Sequence, residues 1–366
     1  QENILLQMKE QGYITEAQYN EAVSETLTFT DGNTTADELV AAANAQSGTS
    51  GGTGSDTSDG INSYFVDQVF NDVVSDMAKQ LGISTEMAET KLYNGGYNIY
   101  TTLDPGIQSI AESVYEDRSN LDVTSSSGQQ LQSGITIVDV TNGDVVAMVG
   151  QVGKKTINRG WNYATDVQQC GSSIKPLSVY APALDANAIT MASTFDNYPV
   201  QLLNGNPWPK NSPSGYTGWV TLAYGVAHSI NTVAVRVIQK LGVNNSYKFM
   251  TENLNFSTIV PDDINLSSLG LGGLTHGVTT EEMAAAYASF ANDGIYNSPR
   301  LYTKVTQGTG SDEKVILDNQ TETHAAMKET TAYFMNQLLQ GVVSSGTGTS
   351  AKFSNMSIAG KTGTTS

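Results

Sequence analysis

One cysteine, Cys170, stands in 366 residues. A single thiol excludes an intrachain disulfide framework and a cysteine-based zinc site. Histidine is nearly as scarce: His228, His276 and His324 lie far apart and show no metal spacing. Positive charge is also short, with 18 Lys and Arg against 36 Asp and Glu and a net charge of −18. A nucleic-acid groove needs clustered basic residues. No basic run exceeds Lys154–Lys155, which argues against nucleic acid as a partner. An acidic surface repels anionic polymers, so an anionic substrate has to meet a local basic pocket. No apolar run approaches the ~18 residues of a membrane-spanning helix. Charged residues total only 15 %, a balance that suits an extracellular protein.

What is present fits a globular chain of two or three domains, with 39 % hydrophobic and 8 % aromatic residues. Residues 3–29 carry apolar positions at helical spacing and read as two short helices. Residues 44–60, NAQSGTSGGTGSDTSDG, have no capacity for a core and read as a linker. A helix is expected from about Asn62, with Tyr64, Phe65, Val69, Val73 and Met77 on one side. Another follows Ser84, a good cap. Tyr97, Ile99 and Thr101 alternate as a strand, and Asp104-Pro105 opens a helix carrying Ile107, Ile110, Ala111 and Val114.

Residues 133–150 form two alternating apolar runs around Thr141–Asp144, a hairpin signal. Residues 176–292 read mainly as helices with loops. A strand pair is expected over 301–317, turning at Gly308–Asp312. A helix is expected over 329–343, with Tyr333, Phe334, Leu338, Leu339 and Val342 inward. Met356–Thr364 reads as a strand. Strands drawn from both ends of a domain, with helices between, fit an α/β layer fold with a helical subdomain.

Three short patterns carry chemistry. QCGSSIKPLSVY places Ser172 and Lys175 one turn apart at a helix start, with Pro176 tolerated there and Leu177, Tyr180, Ala181 and Leu184 inward. A helix N-terminus favours developing negative charge at Ser172. Lys175 can act as a base only if burial or a nearby cation removes its proton. A second Ser-x-x-Lys, Ser311–Lys314, sits in a polar turn where Lys314 would stay solvated. AHSINTVAVRV puts Ser229 and Asn231 at the head of another helix, where a plain capping serine is the bland alternative. AGKTGTT supplies Lys361, Thr362, Gly363 and Thr364, which could hold a carboxylate or simply end a polar strand. Gly363 leaves room for a backbone or a ligand to approach.

Ser-x-x-K, then Ser-x-Asn, then Lys-Thr-Gly, in that order, is the motif set of penicillin-recognising serine enzymes. On these motifs, and on GYNIYTTLDPGIQ, GITIVDVTNGDVVAMVG and GLGGLTHGVTTEEMAAAYASFANDG, the chain resembles bacterial class A penicillin-binding proteins over nearly its whole length. The resemblance implies an α/β penicillin-binding/serine β-lactamase-like transpeptidase fold: an antiparallel sheet packed with helices plus a helical subdomain, after a small linker region. It divides the chain into 1–30, the tail of a glycosyltransferase domain; 31–61, a flexible linker; 62–130, an inter-domain pedestal; and 131–366, the transpeptidase domain.

The activity implied is D,D-transpeptidation of peptidoglycan stem peptides ending in D-Ala-D-Ala, through a serine acyl-enzyme that β-lactams would trap. Ser172 would be the nucleophile and Lys175 its base, with Ser229, Asn231 and Lys361 completing the catalytic set. Thr362, Gly363 and Thr364 would bind substrate. No metal or other cofactor is implied. The partners implied are stem peptides, β-lactams, an upstream glycosyltransferase domain and a membrane anchor, at the extracytoplasmic face. A D,D-carboxypeptidase or β-lactamase shares the three motifs, and a non-catalytic penicillin-binding fragment would keep them as a pocket.

The sequence departs from the family pattern in places. Cys170 stands where Pro is usual, and Asn162–Tyr163–Ala164 stands where Asn-Arg-Ala is usual. The linker over 44–60 is untypical. Two strands and a helix usually follow Lys-Thr-Gly, so the chain reads as a piece of a longer protein.

Overall fold

Ser63 starts the first described helix by accepting a hydrogen bond from Val66 N–H at 3.1 Å. That helix, α1 (Tyr64–Leu81), ends at Gly82, whose φ of 63° gives the left-handed turn that closes it. The computed structural model describes residues 60–365 together with Thr15. The expected helices within 3–29 and the linker residues before Gly60 lie outside the described residues. Tyr64, Phe65, Val69, Val73 and Met77 form the buried face of α1, as its spacing predicts. Phe65, Val73 and Met77 are fully buried, each a gain of about 1.5–3 kcal/mol. Asp67 on α1 is buried too, and it pairs with Lys155 at 2.6 Å. The backbone N–H of Arg159 donates to the same carboxylate oxygen at 2.5 Å, so the 155–159 loop is fastened to α1.

Ser84 caps α2 (Thr85–Asn94), and β1 (Tyr97–Thr101) follows. Asp104 caps α3 (Pro105–Glu116) through the N–H groups of Gly106 and Ile107. The inward face of α3 is Gln108, Ala111 and Tyr115, while Ile110 is 68 % exposed and Ile107 and Val114 are also exposed. A hydrogen-bonding need selects that face. The Gln108 amide donates to Met148 O at 3.0 Å and accepts from Met148 N–H at 2.9 Å. Strands β2 (Ile135–Val138) and β3 (Val145–Val149) form the expected antiparallel hairpin.

The next helical run starts as a 3-10 turn (Gly171–Ile174), widens at Pro176–Tyr180 and continues as α4 (Ala181–Asp185). Four short strands come next: β4 (Thr194–Asn197), β5 (Gln201–Leu203), β6 (Asn206–Trp208) and β7 (Gly218–Thr221). They pair as β4–β7 and β5–β6 inside a stretch whose sequence reads as helices and loops. Each has only three or four residues, too few for alternation to register.

Helices α5 (Leu222–Ala227), α6 (Asn231–Leu241), α7 (Val243–Lys248), α8 (Ser268–Leu271) and α9 (Thr280–Ala291) follow. Then come β8 (Ile295–Asn297), β9 (Tyr302–Gln307), β10 (Lys314–Asp318), β11 (Thr323–Ala325) and α10 (Glu329–Ser345). β9 stands between β1 and β10 in an antiparallel sheet, and β8 pairs with β11. That sheet and β3 pack on α1, around Phe65, Met77, Met148 and Val305. A larger core gathers the Ser172 helix with α6, α9 and α10 around Leu177, Tyr180, Val237, Phe290 and Met335.

Two expectations need correction. On α10, Tyr333 is 60 % and Phe334 38 % exposed, and the buried stripe is Thr331, Met335, Leu338, Leu339 and Val342. Steps of three and four residues define that stripe, and the aromatic pair falls beside it. The segment Met356–Thr364 forms no strand. It has no ladder partner among the described strands and is held by single contacts such as Gly360 N–H to Leu339 O.

Glu281 on α9 and Asp72 on α1 repel each other. Burial, then Asp72 and Glu282, push the Glu281 carboxyl up to about 7, and burial pushes Asp72 up to about 6. A raised carboxyl pKa favours the folded state only while the group holds its proton. The contribution is complete below the unfolded value and is lost as pH rises through about 7. Glu281→Gln is therefore expected to raise the melting temperature at about pH 8, by roughly 1–2 kcal/mol of stability, with no gain at about pH 4. Equal shifts at both pH values in calorimetry would refute this account.

Candidate active site

Gly171 brings two distant segments together. Its φ is 52°, and a Cβ there would overlap the carbonyl of Thr364. A Cβ on Gly363 would likewise overlap the carbonyl of Cys170. Side chains at either position would drive the 361–364 segment away from Ser172. Ser172 is half-buried in the first helical turn, and its carbonyl accepts the N–H of Lys175. Pro176 cannot extend that ladder, and the turns widen after it.

Side chains missed by the sequence reading pin this turn. Tyr287 on α9 donates its hydroxyl to the Ser173 carbonyl at 2.6 Å. The Gln169 amide donates to Leu274 O at 2.6 Å and accepts from Leu274 N–H at 3.0 Å. In AAAYASFA a tyrosine reads only as helix core, and a lone Gln gives no signal. Cys170 packs against the core, and burial pushes its thiol up to about 11, far from the thiolate that a nucleophile needs.

Lys175 is fully buried. Its Nζ donates to Asn231 Oδ1 at 2.5 Å and to Ser229 O at 3.0 Å, with Ser229 Oγ at 3.4 Å. Burial and the neighbouring Lys361 hold it well below the ordinary lysine range. A neutral amine has two N–H donors, which the two closer acceptors match. Its lone pair is then free to take a proton.

Ser229 occupies the tight turn between α5 and α6 with φ 55°, a left-handed conformation that costs a serine about 1–2 kcal/mol. Two backbone bonds over-determine it: Ser229 N–H to Val226 O at 3.1 Å and Ile230 N–H to Gly225 O at 2.8 Å. Ser229 Oγ also accepts from Lys361 Nζ at 2.9 Å. Burial lowers Lys361 to about 8, so near neutral pH it remains largely charged beside Lys175, whose proton affinity burial and that charge both lower. Lys361 also donates to Thr362 O at 2.8 Å. The exposed Thr362 hydroxyl meets that of Thr347 at 2.6 Å. Gly363 and Thr364 continue past the Ser172 turn. Lys175, Ser229, Asn231 and Lys361 therefore form one hydrogen-bonded cluster, with Ser172 one turn from Lys175. The second Ser-x-x-Lys lies apart, in the β9–β10 connection with Lys314 exposed.

Comparison with known proteins points the same way. Residues 133–366 match the family described as the penicillin binding protein transpeptidase domain. The chain belongs to that family. It is 32 % identical over 379 aligned residues to penicillin-binding protein 1A of Clostridium botulinum strain Hall, covering 99 % of this chain and 42 % of that protein. The chain thus spans less than half the length of that curated relative. Penicillin-binding protein 1A of Haemophilus influenzae superposes with a TM-score of 0.59 at 17 % identity, over 98 % of this chain and 64 % of that one. PonA1 of Mycobacterium tuberculosis, solved in complex with penicillin V, gives 0.58 at 21 % identity, over 75 % and 70 %. The fold is that of the penicillin-binding transpeptidases.

The two lysines are expected to titrate apart. In NMR of protein labelled at lysine Cε, Lys175 should titrate well below the surface lysines, and Lys361 should titrate near 8. Lys361→Ala removes a repelling cation and should move the Lys175 midpoint upward. A Lys175 resonance that titrates with the surface lysines would contradict this electrostatic picture.

Proposed function

We propose that this chain carries a serine D,D-transpeptidase that cross-links peptidoglycan stem peptides. The carrying observation is the buried Lys175 amine, one turn from Ser172, with acceptors already matched to its two N–H groups. Ser172 Oγ attacks the carbonyl between the last two D-alanines, and Lys175 takes its proton. The N–H groups of Ser172 and Thr364 receive the developing oxyanion.

Ser229 Oγ accepts from Lys361 and lies near Lys175 Nζ, so it can pass its own proton to the departing D-alanine amine and recover one from the protonated Lys175. The C–N bond breaks, D-alanine leaves, and an ester links the stem peptide to Ser172. An amine of a neighbouring stem then attacks that ester and forms the cross-link as the ester C–O bond breaks, its proton passing by way of Lys175 to Ser172 Oγ, which restores the serine. Lys361, with Thr362 and Thr364, holds the terminal carboxylate. This gives an acidic chain the local positive site that an anionic substrate requires. A β-lactam would acylate Ser172 by the same route, with no fragment to leave. The reaction would take place at the extracytoplasmic face, beside an upstream glycosyltransferase domain and a membrane anchor in the full-length protein.

Intact-mass spectrometry after incubation with benzylpenicillin tests this reading. The native chain should gain one whole penicillin, and Ser172→Ala should gain none. An adduct that decays while penicillin is consumed would identify a hydrolase. No adduct and no consumption would leave a non-catalytic pocket.

A further inference from the structure

Asn231 faces Lys175 with its carbonyl end because its other end is occupied: Nδ2 donates to Lys210 O at 2.7 Å. The next residue, Asn211, holds the backbone at the same place. Its Oδ1 accepts from Asn231 N–H at 3.0 Å and from Thr232 N–H at 3.3 Å. α6 therefore receives its N-cap from a side chain twenty residues away, since Ile230, at the capping position, offers no acceptor. Asn211 is 7 % exposed and fully satisfied: its Nδ2 donates to Asn197 Oδ1 and to Gly215 O, both at 2.8 Å. The buried Asn197 in turn accepts from Thr232 Oγ1 at 2.6 Å and donates to Thr217 Oγ1 at 2.9 Å.

We infer that Asn211 is a positioning residue for the acylation step. It fixes the first turn of α6, and with Lys210 it sets the Asn231 amide that receives Lys175. The inference rests on the proposed roles of Lys175 and Asn231. A satisfied buried network holds one geometry, and an error of about 1 Å at a reacting group costs up to about 100-fold in rate. Asn211 therefore acts on the reaction through Asn231 alone, without touching substrate.

The test is a double-mutant cycle read by the rate of acylation with a fluorescent penicillin, beside melting temperatures. Asn211→Ala is expected to slow acylation about 10–100-fold in the native background. In an Asn231→Ala background it should change the rate less than about threefold, because the group it positions is gone. A merely structural role would give the same loss in both backgrounds, and that result overturns the inference. So does a folded Asn211→Ala protein acylating within about threefold of native.

Asn211→Asp covers the case in which the alanine variant does not fold. The acid keeps both accepted N–H bonds and, protonated in this buried site, donates its O–H to Gly215 O in place of the lost amide N–H. The Asn197 amide can turn to supply a donor, because the Thr217 and Thr232 hydroxyls serve either role. Asn211→Asp should retain acylation within about threefold at its pH optimum, and a loss of 10-fold or more overturns the inference. If Asn231→Ala itself acylates at the native rate, the site reading fails first, and Asn211 falls with it.

Discussion

A lysine amine buried in the protein interior is the constraint on which this structure turns. Lys175 reaches the core with no exposed surface, and water is replaced there by a carbonyl, an amide oxygen and a hydroxyl. Those acceptors come from the α5–α6 turn, so that turn must sit against the Ser172 helix. A left-handed serine and two backbone bonds hold the turn, and a cap from the 194–217 stretch holds the helix after it. Gly171 and Gly363 then admit the segment that brings Lys361. Glycines, a strained serine and a borrowed cap are local costs that the large core of α4, α6, α9 and α10 offsets.

The sequence displayed the reactive types but not their assembly. Ser172 and Lys175 sit on one helical face by spacing alone, and the hydrophobic residues after them mark the buried side. Helices α1, α2 and α3, the β2–β3 hairpin and the β9–β10 pair were legible because caps, periodicity and turn residues agreed. α3 and α10 were read as helices, but hydrophobicity misjudged the face of α10 and left the face of α3 unassigned. Gln108 turns inward for two backbone bonds, and Tyr333 and Phe334 lie beside the stripe that packs. The Lys-Thr-Gly segment carries strand-forming residues, but a strand exists only where a partner pairs with it. The cap from Asn211 left no trace, since an asparagine in a loop carries no address for the helix it serves.

Two lysines at one serine hydroxyl look redundant, and the coupling between them explains why both are present. Lys361 keeps most of its proton near neutral pH, and its field, added to burial, lowers the proton affinity of Lys175. On the proposed mechanism one side chain offers an anion its partner and keeps the base free. The two tasks become linked when a carboxylate arrives. An anion paired with Lys361 cancels part of the field at Lys175 and raises the proton affinity of that amine. On the proposed mechanism this happens as Ser172 must give up its proton. On that mechanism the free site holds a weaker base, and the occupied site a stronger one. A single lysine could not do both, because the charge that binds the carboxylate would be the proton that blocks the base.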